Sequence, residues 1–446
     1  MGRNLLITGA GVDCTEGIDF PLSATLLPKI TAYSRGDGAS VDEKLREIIP
    51  NLRFSFTKLI TQAIESICTR EITEQRAMIR RLQTAVDNLP SDAQKMRQHG
   101  LLLIKLFDKL VTVAECAEID QEISELIQEV FEDKAEEYLD SDSILDIHKM
   151  SLSDTFKAVL KATLRLSFSE NHQIAQALGA EMLNIENLLI EKFLGFYSNK
   201  QNEIKNYIYI SWMLWSYLVA SEKGIFSKYS SISKIPFYST IPKSCKAITL
   251  NYTSFLEKCL GTENVIYFHG GLSEYVRMDR RELTQIENFS DIDICRFMED
   301  QLKPNTSFPD DEISLARHVI PALVPPLKLK PILSSNYIEK WYTAAEWIKK
   351  AERIAIVGYS FNSADEHFND IIRKHFPGKE IYVIAPNVFS DYSLNNFHKI
   401  FGVSRDDWTT TRFCNAQCRR YEKIFLVNAR TDDISLPDLW KNVWRE

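Results

Sequence analysis

The chain has 446 residues, 45% of them hydrophobic, and a formal net charge of −8. That length and apolar content allow a large buried core divided among two or three domains. The acidic balance argues against an extended nucleic-acid surface, which needs clustered Lys and Arg to neutralise phosphates, and leaves small anionic ligands to local pockets.

The chain opens with "NLLITGAGVDCTEGIDF", an apolar strand that runs into Gly9-Ala10-Gly11. Paired glycines after a strand let backbone N–H groups approach a diphosphate at a helix start. A dinucleotide fingerprint places its third glycine at position 14, which is Cys14; the next glycine is Gly17, and no strand ending in a ribose-binding acid follows near Ser34 to Ser40. On its own the turn reads equally as a tight turn or as part of a nucleotide site. It comes too early for a charged leader with a long apolar core, so a cytoplasmic protein is expected.

From about Val41 to Ile235 the texture is charged and helical in period, interrupted by Pro50 and Pro90. Residues 36–235 are expected to form an all-α insertion domain. Within it Ile119, Ile123, Leu126, Ile127, Val130, Phe131 and Tyr138 recur at helical spacing among Glu118, Glu122, Glu125, Glu129, Glu132, Glu136 and Glu137. This predicts an amphipathic helix whose acidic face meets solvent or a partner. The aromatic-rich run from Tyr207 to Ala220 is shorter than the ~20 residues a membrane span requires, and is expected to be a buried helix.

From Pro236 short apolar runs return: "KAITLN" at 246–251, "NVIYFHGG" at 264–271, "ERIAIVGYS" at 352–360 and "EIYVIAPN" at 380–387. Helical patterns, "TSFLEKCL" and "SADEHFNDIIRKHF", lie among them, so strand and helix alternate as in parallel βαβ units. The predicted fold class is α/β: a Rossmann-like, doubly wound parallel sheet with a large all-α insertion. Residues 1–35 and 236–395 would form one nucleotide-binding domain, split in sequence, and 396–446 a separate carboxyl-terminal segment.

Three polar groups fall at predicted carboxyl ends of strands, where open α/β sheets bind ligands. Asn251 suits a ribose hydroxyl or a water, or caps the helix that follows. His269 precedes two glycines and suits a general base, or is a satisfied structural histidine. The Gly358-Tyr359-Ser360 turn suits phosphate or ribose. Asp365 and Glu366, just beyond it, are most simply favourable charges at a helix amino end. Asn387 ends the last apolar run, as an adenosine-side contact or a turn residue. There is no GxSxG elbow, no acid in sequence to orient the histidine, and no Walker lysine. The eight cysteines are scattered, with only Cys414 and Cys418 close together, so no metal is expected.

Taken in order, "GAGVDCTEGIDF", "ITLNY", "FHGG" and "IVGYSFNSADEHF" resemble the sirtuin-like family, and more closely its NAD-hydrolysing bacterial antiphage branch than the protein deacylases. The runs "PALVPP" and "YIEKWYTAAEWIKKAERIAIVGYS" are similar to that branch as well. The resemblance covers residues 1 to about 30 and 240 to 395. It implies Asn251 and His269 as the catalytic pair. It also implies NAD as substrate, held by Gly9, Ala10, Gly11, Asp13, Phe20, Gly358, Ser360 and Asn387. Two cysteine pairs that bind zinc in deacylases have no counterpart, since only Cys295 lies between Gly270 and Gly358. Leu250, Thr253 and Pro21 stand where deacylases carry Gln, Asp and Arg.

The activity so implied is NAD glycohydrolysis, by an antiphage effector that depletes cellular NAD when activated. A homo-oligomer is expected, with regulation by a partner such as a ring-forming ATPase or a phage-derived trigger. The alternatives are a sensor that binds NAD or ADP-ribose without turnover, an NAD-dependent deacylase or ADP-ribosyltransferase, and a helical scaffold with a vestigial nucleotide domain.

Overall fold

The computed structural model describes residues 4–56, 72–111 and 200–431, apart from 22, 50, 91–92, 95–96, 99, 102, 106, 109–110, 279, 287–291, 303–318, 325–332, 363–364 and 414–415. The acidic helical stretch expected around 118–138 lies outside the described residues. The chain divides into two compact units: Met1–Ser23, Tyr33–Leu52 and Phe193–Glu446 form one, and Ala24–Ala32 and Arg53–Lys192 the other.

The first unit holds an eight-stranded sheet. Its strands are β1 (Asn4–Thr8), β2 (Lys246–Thr249), β3 (Val265–Tyr267), β7 (Arg353–Val357), β8 (Glu380–Ala385), β9 (Thr409–Phe413), β10 (Ala416–Tyr421) and β11 (Ile424–Asn428). They lie in the order β3-β2-β1-β7-β8-β11-β10-β9. Every pairing from β3 to β11 is parallel, and β10 and β9 close the sheet antiparallel. A second sheet of β4 (Glu274–Arg277), β5 (Glu282–Gln285) and β6 (Val319–Pro321) is antiparallel.

The parallel strands are near-continuous apolar runs because both faces are covered, which is why they stand out in the sequence. Ile7, Ile356, Val383 and Leu426 pack one core with Phe268, Phe368 and Ile348. The α/β doubly wound architecture is as expected. The expected strands are two to four residues too long at their carboxyl ends, and those extra residues form the loops that carry the polar groups.

Three boundaries differ from the sequence expectation. Near residue 35, Ala24–Ala32 belongs to the second unit and Tyr33–Leu52 to the first, so the chain crosses between the units more than once. The helix Gln201–Tyr229 was expected in the insertion, yet it belongs to the unit that holds the sheet. It buries Tyr207, Trp212 and Trp215 completely, and Trp215 Nε1 donates to the carbonyl of Leu272 at 3.0 Å. The carboxyl-terminal segment, expected to stand apart, supplies β9, β10 and β11, of which β11 pairs in register with β8. In the second unit, the helix Ile72–Asp87 buries Met78, Leu82 and Val86 on one face. Arg97 donates to the carbonyls of Val86 and Leu89 at its end.

Candidate functional site

Parallel register lines up the strand ends. Tyr267, Thr249, Thr8, Val357 and Ile384 are neighbours across β3, β2, β1, β7 and β8. The loops leaving them therefore start on one edge of the sheet. Two residues past their strands lie His269 and Asn251; one residue past theirs lie Gly9 and Gly358. From β1 the chain builds outward through β2 and β3, then returns to lay β7 and β8 on the other side of β1. The switch point, where open α/β sheets bind ligands, falls between β1 and β7.

At that point the two glycine turns touch. Gly9 N–H donates to Val357 O at 3.0 Å, Gly11 N–H to Gly358 O at 2.9 Å, and Val12 N–H to Gly9 O at 3.0 Å. A Cβ on Gly9 would lie 2.7 Å from Gly358 O, and one on Gly11 2.8 Å from Gly358 Cα. Gly358 itself has φ of +66°. The glycines are thus required by the crossing of two backbones. This refines the expected diphosphate cradle, because the amides of Gly9, Gly11 and Val12 are engaged by the chain's own carbonyls. The helix they open, Ala10–Asp13, is a single turn.

Asn251 is 7% exposed. Its Nδ2 donates to Gly9 O at 3.0 Å, and its backbone N–H is held by Thr249 Oγ1 at 3.0 Å. The cap position of the following helix, Phe255–Leu260, is occupied by Ser254, so the side chain of Asn251 serves the glycine turn instead of a helix end. Thr249 Oγ1 in turn accepts from Thr8 Oγ1 at 2.9 Å.

His269 is 2% exposed, and its Nε2 lies 3.2 Å from Oδ1 of Asp365. Its carbonyl accepts from Val324 N–H at 2.8 Å, and the carbonyl of Phe268 accepts from Trp341 Nε1 at 2.9 Å, which fixes the loop from both sides. Asp365 is buried at the start of the helix Glu366–His375. Asp365 is the cap residue of that helix, in keeping with its reading as a helix-end charge, and its carboxylate also stands at ion-pair distance from the histidine. Asp365 follows β7 and His269 follows β3, so only the folded sheet brings them together. Its negative charge also helps to hold the phenols of Tyr252 and Tyr359 above their usual range, after burial as the main cause.

Asp13 was expected at the ligand. Its carboxylate is instead 4% exposed and accepts from Tyr238 Oη and, at 2.7 Å, from Thr253 Oγ1. Burial pushes it up to about 6, against hydrogen bonds from Tyr238, Thr253 and Asn251 that favour its charge; the charge of Glu222 pushes the same way as burial. Phe20 is a packing residue, 6% exposed with its ring edge-on to Phe255 at 5.8 Å. Ser360 is exposed on the β7 turn, and its carbonyl accepts from Asn396 Nδ2 at 3.3 Å. Asn387 is exposed with φ of +58°, a left-handed turn position that asparagine tolerates, and its N–H donates to Asn428 Oδ1 at 2.8 Å.

The structure thus gathers Gly9, Ala10, Gly11, Asn251 and Gly358 at the switch point and joins His269 to Asp365. Asp13 and Phe20 lie behind that surface. Among the described residues, no group of three or more His, Cys, Asp or Glu could hold a metal ion, and no helix is long and apolar enough to cross a membrane.

No family model and no curated protein matches the chain. Solved structures to which it is similar include a Sir2 homologue mutant in complex with ADP-ribose, at 17% identity over 43% of this chain and 67% of the other, with a TM-score of 0.25. A Sir2 homolog–NAD complex aligns at 17% identity over 44% and 65%, TM-score 0.25. A second Sir2 homologue mutant with ADP-ribose aligns at 16% identity over 46% and 80%, TM-score 0.26.

Proposed function

We propose that the chain is an NAD+ glycohydrolase of sirtuin-like type, releasing nicotinamide and ADP-ribose. The observation that carries this reading is the buried His269–Asp365 pair on the same sheet edge as Asn251, beside the switch point marked by Gly9 and Gly358. The four motifs that resemble the antiphage branch supply exactly these strand ends, and their order along the chain supports the same assignment.

The donor set suits a ribosyl bond cut by water. Nicotinamide in NAD is already a cationic leaving group, so the reaction needs orientation and charge stabilisation more than acid catalysis. Asn251, anchored by its amide to Gly9 O, presents the other end of that amide toward ribose or water. His269 removes the proton of the attacking water, and Asp365 holds the imidazole in orientation and stabilises its protonated form. In this reading Ser360, exposed two residues past Gly358, takes a ribose hydroxyl. In the same reading Gly9, Ala10, Gly11 and Gly358 form the floor for the diphosphate, and Asn387 is assigned to the adenosine side.

An enzyme that removes a central cofactor must be held inactive until needed. We assign it, on the motif resemblance, to phage defence as a cytoplasmic homo-oligomer switched on by a partner or a phage-derived trigger. The test is hydrolysis in H2(18)O with triggered protein. Nicotinamide should appear with one equivalent of ADP-ribose carrying the heavy oxygen at its anomeric hydroxyl. Nicotinamide release that requires a peptide or another acceptor would mean transfer, and tight NAD binding without release would mean a sensor.

A further inference from the structure

The loop Asn251–Ser254 links β2 to the helix Phe255–Leu260, and it is gripped from two directions. At its front, Asn251 is tied to Gly9 and Thr249. At its back stands Glu222, on the helix Gln201–Tyr229. Glu222 is 2% exposed, and its carboxylate accepts from Ser254 N–H at 2.9 Å, from Ser254 Oγ, and from Lys258 Nζ at 3.4 Å. Burial raises its pKa, against the opposing pull of Lys258 and Ser254.

A carboxylate buried in a protein is a poor source of stability, because losing its hydration costs more than most partners return. Its geometric service here is specific. Ser254 occupies the cap position of Phe255–Leu260 without a side-chain bond to that helix, and Glu222 takes both of its donors from outside. Ser254 thereby fixes the end of a loop whose first residue is Asn251. Thr253 is fixed in the same way by Asp13, so two buried carboxylates on separate elements hold consecutive residues.

We propose that Glu222 is a positioning residue that latches the Asn251–Ser254 loop to the helix Gln201–Tyr229 and so keeps the Asn251 amide aimed for catalysis; this rests on the reading of Asn251 as a catalytic residue. Glu222 does not touch substrate. It acts through Ser254, and its loss lowers turnover rather than affinity.

The test uses the full chain, with Glu222→Gln and Ser254→Ala attacking the latch from either side and Glu222→Asp keeping its charge. Two readouts are taken: hydrogen–deuterium exchange over residues 250–256, and steady-state NAD cleavage by the triggered protein. In Glu222→Gln the loop should exchange about tenfold faster while β7 is unchanged, and kcat should fall about tenfold with KM within about twofold. Ser254→Ala should move both readouts the same way, and Glu222→Asp should lie between wild type and Glu222→Gln. Should Glu222→Gln fail to fold, Ser254→Ala decides. Unchanged loop exchange overturns the latch, and faster exchange with unaltered kcat overturns its positioning role. A wild-type chain that cleaves no NAD while exchange responds as stated overturns the glycohydrolase reading, and with it the catalytic meaning of the latch, but leaves the latch itself in place.

Discussion

His269 Nε2 and Asp365 Oδ1 lie 3.2 Å apart, although β3 and β7, the strands that deliver them, are separated in the sheet by β2 and β1. After β7, Gly358 crosses over Gly11, and Tyr359 Oη donates to Asn369 Oδ1, on the helix Glu366–His375, at 2.7 Å. If Asp365 orients the imidazole, Asp365→Asn should keep the fold and lower kcat by roughly 10²-fold, the lower range for a general-base contribution. KM should change little. Equal kcat in variant and wild type, measured by nicotinamide release, would remove Asp365 from the reaction.

The crossing of the glycine turns makes a separate prediction about stability. Gly358→Ala would hold an L-residue at positive φ and drive its Cβ into the backbone of Val12 and Gly11. The cost should exceed about 2 kcal/mol. Gly378→Ala provides the control, since Gly378 has φ of +79° with nothing within 4 Å of the added Cβ. It should cost only about 1 kcal/mol, the conformational part alone. Urea melts of the two variants check the difference; equal losses would mean that the turns do not constrain each other.

The buried carboxylate of Asp13 predicts a pH dependence of stability. Its pKa rises from 3.8 to about 6, chiefly by burial, so between those values the folded chain binds more proton than the unfolded chain. Stability from this group is full below about pH 4 and is lost as pH rises through about 6. A shift of that size corresponds to about 3 kcal/mol. Glu222, also raised by burial, acts with the same sign. Asp13→Asn should therefore gain stability over wild type as pH rises from about 4 to 6, with the difference constant above. Urea titrations at several pH values measure it, and parallel wild-type and variant curves would refute the assignment.

What could be read from the sequence follows from what each signal reports. β1, β2, β3, β7 and β8 are largely buried, so apolar runs disclosed them, and a polar residue or glycine just after these runs disclosed Asn251, His269 and Gly358. β9 and β10 were not legible, because "TTTRF" is largely exposed and "AQCRRY" buries only Cys418, so neither carries an apolar pattern. The run Tyr207–Ala220 disclosed a buried helix but not its neighbour, since periodicity reports burial and not the partner. Asp365 was passed over because an acid at a helix start has a sufficient local explanation. Only the strand order shows that it faces His269. Asp13 was implied as a ligand contact by the motif resemblance alone; its side chain turns inward to Thr253 and Tyr238 instead.

The central claim is that Asn251 and His269 carry NAD cleavage. Its most direct test is mass spectrometry of NAD, nicotinamide and ADP-ribose in bacteria expressing the wild type, Asn251→Ala or His269→Ala during phage challenge, with matched protein levels. The account predicts that NAD falls and nicotinamide and ADP-ribose rise together in the wild type, while both variants hold NAD at the level of uninfected cells. NAD loss in either folded variant equal to that of the wild type would contradict it.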